Sequence, residues 1–86
     1  MEDDNKVCIF GMGYVGLTLG VVMAERGFKV TGVEINEDIL VKLNDARAHF
    51  YETNLNYVLR RNVQNGNLRF SKDVPEGEKF GAFIVT

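Results

Sequence analysis

Every position from Val7 to Phe10 is apolar, and the run stops at Gly11. A short unbroken run of this kind predicts a strand, Lys6 to Phe10, buried on both faces of a parallel sheet. After the glycines that follow, apolar residues recur at Val15, Leu19, Val22 and Met23. That spacing predicts a helix with those four as its buried stripe and Gly27 as its left-handed cap. Phe28 to Glu34 returns to strand character through Val30, Thr31 and Val33, with Gly32 marking a place of close packing. Asn36 is placed to cap a second helix running to about Asn44, with Glu37 and Asp38 at its positive end and Ile35 and Leu40 as a hydrophobic staple. Asp45 to Thr53 has no clear period, whereas Leu55, Val58, Leu59 and Val63 resume helical spacing before the Asn65-Gly66 stop. Leu68 to Ser71 is a weak strand, Lys72 to Gly81 a polar segment with a turn near Pro75, and Ala82 to Thr86 a closing strand.

Strands alternating with helices predict an α/β fold, a parallel sheet with right-handed crossovers and helices on both faces. In the strand order 3-2-1-4 the last strand lies beside the first, and its far edge lacks a neighbour. Residues 1–86 therefore read as the first portion of a larger domain, truncated after about four strands. An uncovered edge of this kind predicts self-association into a homo-oligomer.

Close to half of the 86 residues are apolar and the formal net charge is -2. No broad basic field exists to draw a nucleic-acid backbone, so no nucleic-acid partner is expected. The first five residues are acidic rather than basic, and no apolar stretch approaches the ~20 residues of a membrane helix, so a cytoplasmic protein without membrane contact is expected. Cys8 is the only cysteine. It lies inside the first apolar run, where a packed thiol is the natural reading and an internal disulfide is impossible. His49 has no second histidine or cysteine at ligand spacing, so it is read as a loop histidine and no metal site is expected. Arg60 and Arg61 read as an exposed helix face.

The chemistry is concentrated in Gly11-Met12-Gly13-Tyr14-Val15-Gly16, a G-x-G-x-x-G between a buried strand and a helix, which is the context that makes this pattern a dinucleotide fingerprint. Gly11 permits the tight turn, Gly13 lets a pyrophosphate approach the backbone, and Gly16 lets the helix pack closely on the sheet. Unpaired N–H groups and the positive dipole end of the helix hold the pyrophosphate without a lysine. Glu34 ends the second strand eighteen residues after Gly16, where its carboxylate can accept from ribose hydroxyls and repel a 2′-phosphate. No arginine stands within a few residues after it, so NAD is expected over NADP. The cofactor-binding set is Gly11, Met12, Gly13, Tyr14, Val15, Gly16, Glu34 and Ile35, in a Rossmann-type fold.

Gly11 to Leu17, then Val33-Glu34-Ile35-Asn36, then Phe50-Tyr51-Glu52 with Leu55 resemble the start of the UDP-glucose and related nucleotide-sugar 6-dehydrogenases, whose patterns are G-x-G-Y-V-G-L, V-D-x-N and Y-E-P-G-L. Phe83 to Thr86 resembles the strand leading into that family's next cofactor loop. Three positions depart from it: Glu34 stands for the usual aspartate, Ile39 for a frequent basic residue, and Thr53-Asn54 for Pro-Gly. The resemblance implies oxidation of the C6 alcohol of a nucleotide sugar to a uronate with two NAD. It also implies that the nucleophilic cysteine, its lysine and asparagine partners and the substrate domain come later in such chains, so no catalytic residue is expected here. Tyr51 and Glu52 border the active-site side or are simply a loop aromatic and a helix-entry carboxylate, the second being the plainer reading. The rival classes are a regulatory dinucleotide-sensing module and a dehydrogenase of the 6-phosphogluconate or hydroxyacyl-CoA type.

Overall fold

A computed structural model of the protein describes residues 3–86; Met1 and Glu2 lie outside the described residues. The element order is β1 (Lys6–Phe10), α1 (Tyr14–Glu25), β2 (Lys29–Val33), α2 (Glu37–Asn44), α3 (Leu55–Gln64), β3 (Leu68–Ser71) and β4 (Ala82–Val85). All pairings are parallel, in the order β3-β2-β1-β4. This is the expected α/β class and strand order.

The register gives each sheet face its own character. Val7 and Ile9 of β1, Val30 of β2 and Leu68 and Phe70 of β3 share a core with Leu17, Val21 and Ala24 of α1, Leu43 of α2 and Leu55 and Leu59 of α3. All three helices therefore lie on one face, whereas the sequence suggested helices on both. The handedness rule explains this: β1 to β2 and β2 to β3 step the same way across the sheet, so right-handed crossovers put α1, α2 and α3 on the same side. Only the β3-to-β4 connection returns across the opposite face, and it contains no helix.

That opposite face carries the row Phe83, Cys8, Thr31 and Arg69. Arg69 Nε donates to Thr31 Oγ1 at 2.9 Å, and Glu78 from the returning segment bridges Arg69 and Lys6. Phe80 packs against Phe83, with ring centroids 5.4 Å apart. Cys8 and Thr31 are buried beneath this strap. Burial pushes the Cys8 thiol above its ordinary value, as suits a packed thiol.

Helix α1 buries Gly16, Leu17, Gly20, Val21 and Ala24, while Val15 and Val22 of the expected stripe are exposed, and Leu19 and Met23 are only partly covered. The helix is apolar nearly all round, so hydrophobicity alone does not decide which side faces the sheet; that side is the one where Gly16 and Gly20 allow close approach. A Cβ on Gly20 would already touch Ile9, Val30 and Leu68 at 3.5–3.9 Å. Its C-terminus closes as expected: Gly27 has φ +97°, with the Gly27 N–H donating to Ala24 O and the Phe28 N–H to Met23 O. Asn36 Oδ1 caps α2 by accepting from the Ile39 N–H at 3.1 Å, but Ile35 is 78% exposed and adds no buried staple.

Helices α1 and α3 are clamped through Glu25. Arg61 donates to both of its carboxylate oxygens, at 3.1 and 2.7 Å, and the buried Asn62 amide donates to Oε2 at 2.6 Å. The Asn62 bond, then the Arg61 bonds, hold the Glu25 carboxyl below its ordinary value of 4.5. A carboxylate whose pKa is lowered by folding contributes stability that is present above the unfolded value and lost as pH falls through the folded one. We expect thermal midpoints of the wild type to fall as pH drops below about 4.5, and Glu25→Gln to show a lower midpoint at neutral pH with a shallower acid slope. Equal slopes by circular dichroism melting across that range would refute the clamp.

Candidate functional site

The C-terminal ends of β1, β2 and β4 frame a cleft of about 260 Å³ lined by Phe10, Gly11, Val33, Glu34, Ile35, Val85 and Thr86. It lies where the strand order reverses, between β1 and β4, the usual ligand crevice of open α/β sheets. Gly11 turns the chain out of β1 with φ +93°, a conformation few side chains adopt. Its N–H donates to Val33 O at 2.8 Å, keeping the turn against β2.

Gly16 is required by contact. A Cβ there would stand 1.8 Å from the Gly11 carbonyl oxygen and 2.8 Å from Thr86 Oγ1. Gly13, by contrast, has nothing within 4 Å of where a Cβ would be, so its backbone faces open space. It is the N-cap of α1, no side chain caps that end, and no acidic residue occupies the first turn. An uncapped N-terminus over open space is the arrangement that receives an anion on backbone N–H groups.

Met12 behaves differently from its neighbours. Its side chain is fully buried beneath β2, where a Cβ on Gly32 would come within 2.5 Å of its sulfur. This is the close packing that Gly32 signals in the sequence. The Met12 N–H donates to Glu34 Oε1 at 2.9 Å, and the Asn36 N–H donates to Glu34 Oε2 at 2.9 Å. Glu34 is only 9% exposed, so its carboxylate ties the glycine loop to the end of β2. An ionised carboxylate offers about four acceptor positions, and two backbone bonds leave capacity for two more.

Tyr14 and Val15 are exposed, at 57% and 64%. The Tyr14 hydroxyl donates to Glu52 Oε2 at 3.2 Å, and its ring lies 5.2 Å from that of Phe50. The bond to Glu52 raises the Tyr14 phenol above its ordinary value. Glu52 thus has a partner in the fingerprint itself, whereas Tyr51 is fully solvated at 89% exposure. Asn54 takes the left-handed conformation with φ +64°, occupying the place where the Y-E-P-G-L pattern has glycine. Asparagine is among the few residues that tolerate it. Ile39, at the other departure, packs partly against the core rather than facing the cleft. His49 sits edge-on to Phe50 at 5.0 Å, and its buried Nδ1 has no hydrogen-bond partner. Arg61 serves Glu25, away from the cleft.

Sequence reasoning missed Thr86. Its single Oγ1–H is shared between the Phe10 and Gly11 carbonyls, at 3.0 and 2.9 Å, holding the turn from the β4 side. The expected order, with β4 beside β1, is the signal that could have revealed it.

A glycine turn at the end of a central strand, an open helix N-terminus and a carboxylate closing the next strand define a Rossmann-type NAD-binding unit. The chain belongs to the UDP-glucose/GDP-mannose dehydrogenase family, whose NAD-binding domain profile matches residues 5–86. It is 36% identical over 85 residues, 99% of its length, to a UDP-N-acetyl-D-mannosamine dehydrogenase of Campylobacter jejuni, and covers 20% of that protein. It is 34% identical to an NDP-N-acetyl-D-galactosaminuronic acid dehydrogenase of Ralstonia solanacearum, over 96% of this chain and 19% of that one. The structure of a UDP-N-acetyl-mannosamine dehydrogenase from Staphylococcus aureus superposes with a TM-score of 0.83 at 31% identity, over 94% of this chain and 19% of the other. The chain thus spans about a fifth of the length of the relatives it matches. Among the described residues, no helix is long and apolar enough to cross a membrane.

Gly16→Ala places a methyl group against backbone, which cannot swing aside as a side chain would. We expect it to weaken NAD binding at least about tenfold and to cost on the order of 1–3 kcal/mol of stability, the usual range for overpacking. Isothermal titration and thermal melting check both; unchanged affinity would mean that this contact does not shape the loop.

Proposed function

We propose that this chain is the NAD-binding portion of a nucleotide-sugar 6-dehydrogenase. The whole enzyme oxidises the C6 alcohol of a UDP-sugar or related nucleotide sugar: the alcohol and one water become the carboxylate as two NAD each take a hydride and three protons are released. The observation that carries the reading is that the Glu34 carboxylate, which lines the crevice with Gly11, accepts from the Met12 N–H, one residue before the uncapped start of α1 at Gly13. NAD supplies the hydride acceptor when bound, and the residues of this chain bind and orient it.

In this reading the backbone of Gly13, Tyr14 and Val15 receives the pyrophosphate. Gly11 and Gly16 give the loop its shape, and Met12 fastens it from below. Glu34 accepts from the adenosine ribose hydroxyls with its remaining lone pairs and disfavours a 2′-phosphate. Ile35, exposed beside the cleft, offers the adenine an apolar wall. The substrate, a nucleotide sugar, is bound by parts of the enzyme beyond this chain. The enzyme is cytoplasmic and binds no nucleic acid.

Titration of the chain with NAD and NADP tests the cofactor reading. Glu34→Ala should weaken NAD by about 1.5–3 kcal/mol, the range for a hydrogen bond to a charged group. The NAD-over-NADP preference should fall at least about tenfold, with circular dichroism confirming the fold. An unchanged preference would remove Glu34 from cofactor selection. Release of NADH from NAD and a nucleotide sugar by the complete protein, and none by the 86-residue chain, tests the reaction; a complete protein that binds NAD without turnover would support the sensing class instead.

We also propose that the 86-residue chain self-associates through β4, whose Phe83 and Val85 are 57% and 81% exposed at the sheet edge. Sedimentation should show concentration-dependent association that Phe83→Lys reduces. A monomer at every concentration would contradict it.

A further inference from the structure

Three of the six residues from Gly11 to Gly16 are glycine, so the loop has a large backbone freedom to lose on ordering. The Gly11 N–H bond to Val33 O and the Glu34 and Thr86 side chains hold its start, and the loop's own side chains can restrict the rest. Met12 does so from below, within the core; Val15 is exposed. The remaining side chain, Tyr14, is held from outside: its ring lies 5.2 Å from Phe50 and its hydroxyl donates to Glu52 at 3.2 Å. Tyr14 is the first residue of α1, adjacent to the open N-cap Gly13, so fixing its side chain fixes the turn whose amides are uncapped.

We propose that Glu52 is a positioning residue for the dinucleotide loop, holding Tyr14 against the segment before α3 so that the first turn of α1 is ordered before the cofactor arrives. The proposal rests on the NAD-binding reading. Asn54 supports it structurally: its left-handed conformation, together with the Leu55 N–H donating to Glu52 O at 3.1 Å, sets the approach of Glu52 to Tyr14. Preorganisation of this kind raises affinity by reducing the ordering cost of binding, without a new contact to the ligand. The Tyr14 phenol, raised by its bond to Glu52, gives the contact a spectroscopic signature.

The test uses Tyr14→Phe, which keeps the ring, Glu52→Ala, which removes the acceptor, the double variant, and Glu52→Gln, which keeps a neutral acceptor. NMR relaxation on the unliganded chain should show lower backbone amide order at residues 13–16 in the first three. NAD affinity should fall about threefold to tenfold, the range for one hydrogen bond, in each of those three alike, because the two groups act through one contact. Glu52→Gln should stay within about twofold of wild type. Ultraviolet titration should return the Tyr14 phenol towards its ordinary value in Glu52→Ala. Additive losses, unchanged amide order, or lost order with unchanged NAD affinity would each overturn the proposal while leaving the NAD-binding reading intact. Failure of the wild-type chain to bind NAD would overturn that reading and this inference with it.

Discussion

The site depends on one close approach. The first turn of α1 meets the end of β1 with so little room that any side chain at Gly16 would overlap the Gly11 carbonyl. That distance sets the helix axis against the sheet and aims its N-terminus into the cleft. On the same buried face Gly20 lets the helix lie close to β1 and β2, while Leu17, Val21 and Ala24 complete the packing. The same economy recurs at Gly32, where the missing side chain is replaced by Met12 from the loop. The fingerprint is thus a packing solution before it is a binding site.

The charge arrangement follows from that geometry. An open helix N-terminus carries roughly half a positive charge within its first turn, and the Glu34 carboxylate stands at the end of the neighbouring strand. Glu34 does not neutralise the helix end directly; its oxygens are engaged by the Met12 and Asn36 amides, in the turn before α1 and the turn before α2. These bonds orient the carboxylate and hold the loop. A glutamate, one methylene longer than the aspartate of the V-D-x-N pattern, spans from the end of β2 to Met12 here. Loop shape and the proposed selection of NAD therefore fall to one side chain.

Much of this was legible in the sequence because local rules and global topology agree. The unbroken run before Gly11, the Asn36 cap, Gly27 and the Asn65-Gly66 stop each describe interactions within a few residues. What escaped reading depends on distance along the chain or on departures from residue preference. The α1 stripe was misplaced because nearly all sides of the helix are apolar, and hydrophobicity cannot distinguish a glycine seam from a valine face. The end of α2 falls at Asn44 as expected, although Ala46 at φ +56° stands in the place glycine usually takes, with the Arg47 N–H donating to Lys42 O. Tyr14 and Glu52 meet across 38 residues, and Thr86 meets Gly11 across 75. Only a folded chain brings those pairs together.

The two sheet faces divide the labour unequally. The helical face contains nearly all of the fully buried large side chains, including Ile9, Met12, Leu17, Leu43, Leu59 and Leu68. The opposite face relies on the strap from β3 to β4, whose ion pairs among Lys6, Arg69 and Glu78 are partly solvated; the Arg69 side chain is 53% exposed. Ion pairs in that setting are worth about 0–1 kcal/mol each, less than the roughly 1.5–3 kcal/mol of one fully buried Leu or Ile. Local opening therefore begins with the strap and β4 rather than with the helical layer. Because Thr86 holds the Gly11 turn from the end of β4, such opening removes one support of the loop and leaves Met12 and Glu34 to hold it from the β2 side.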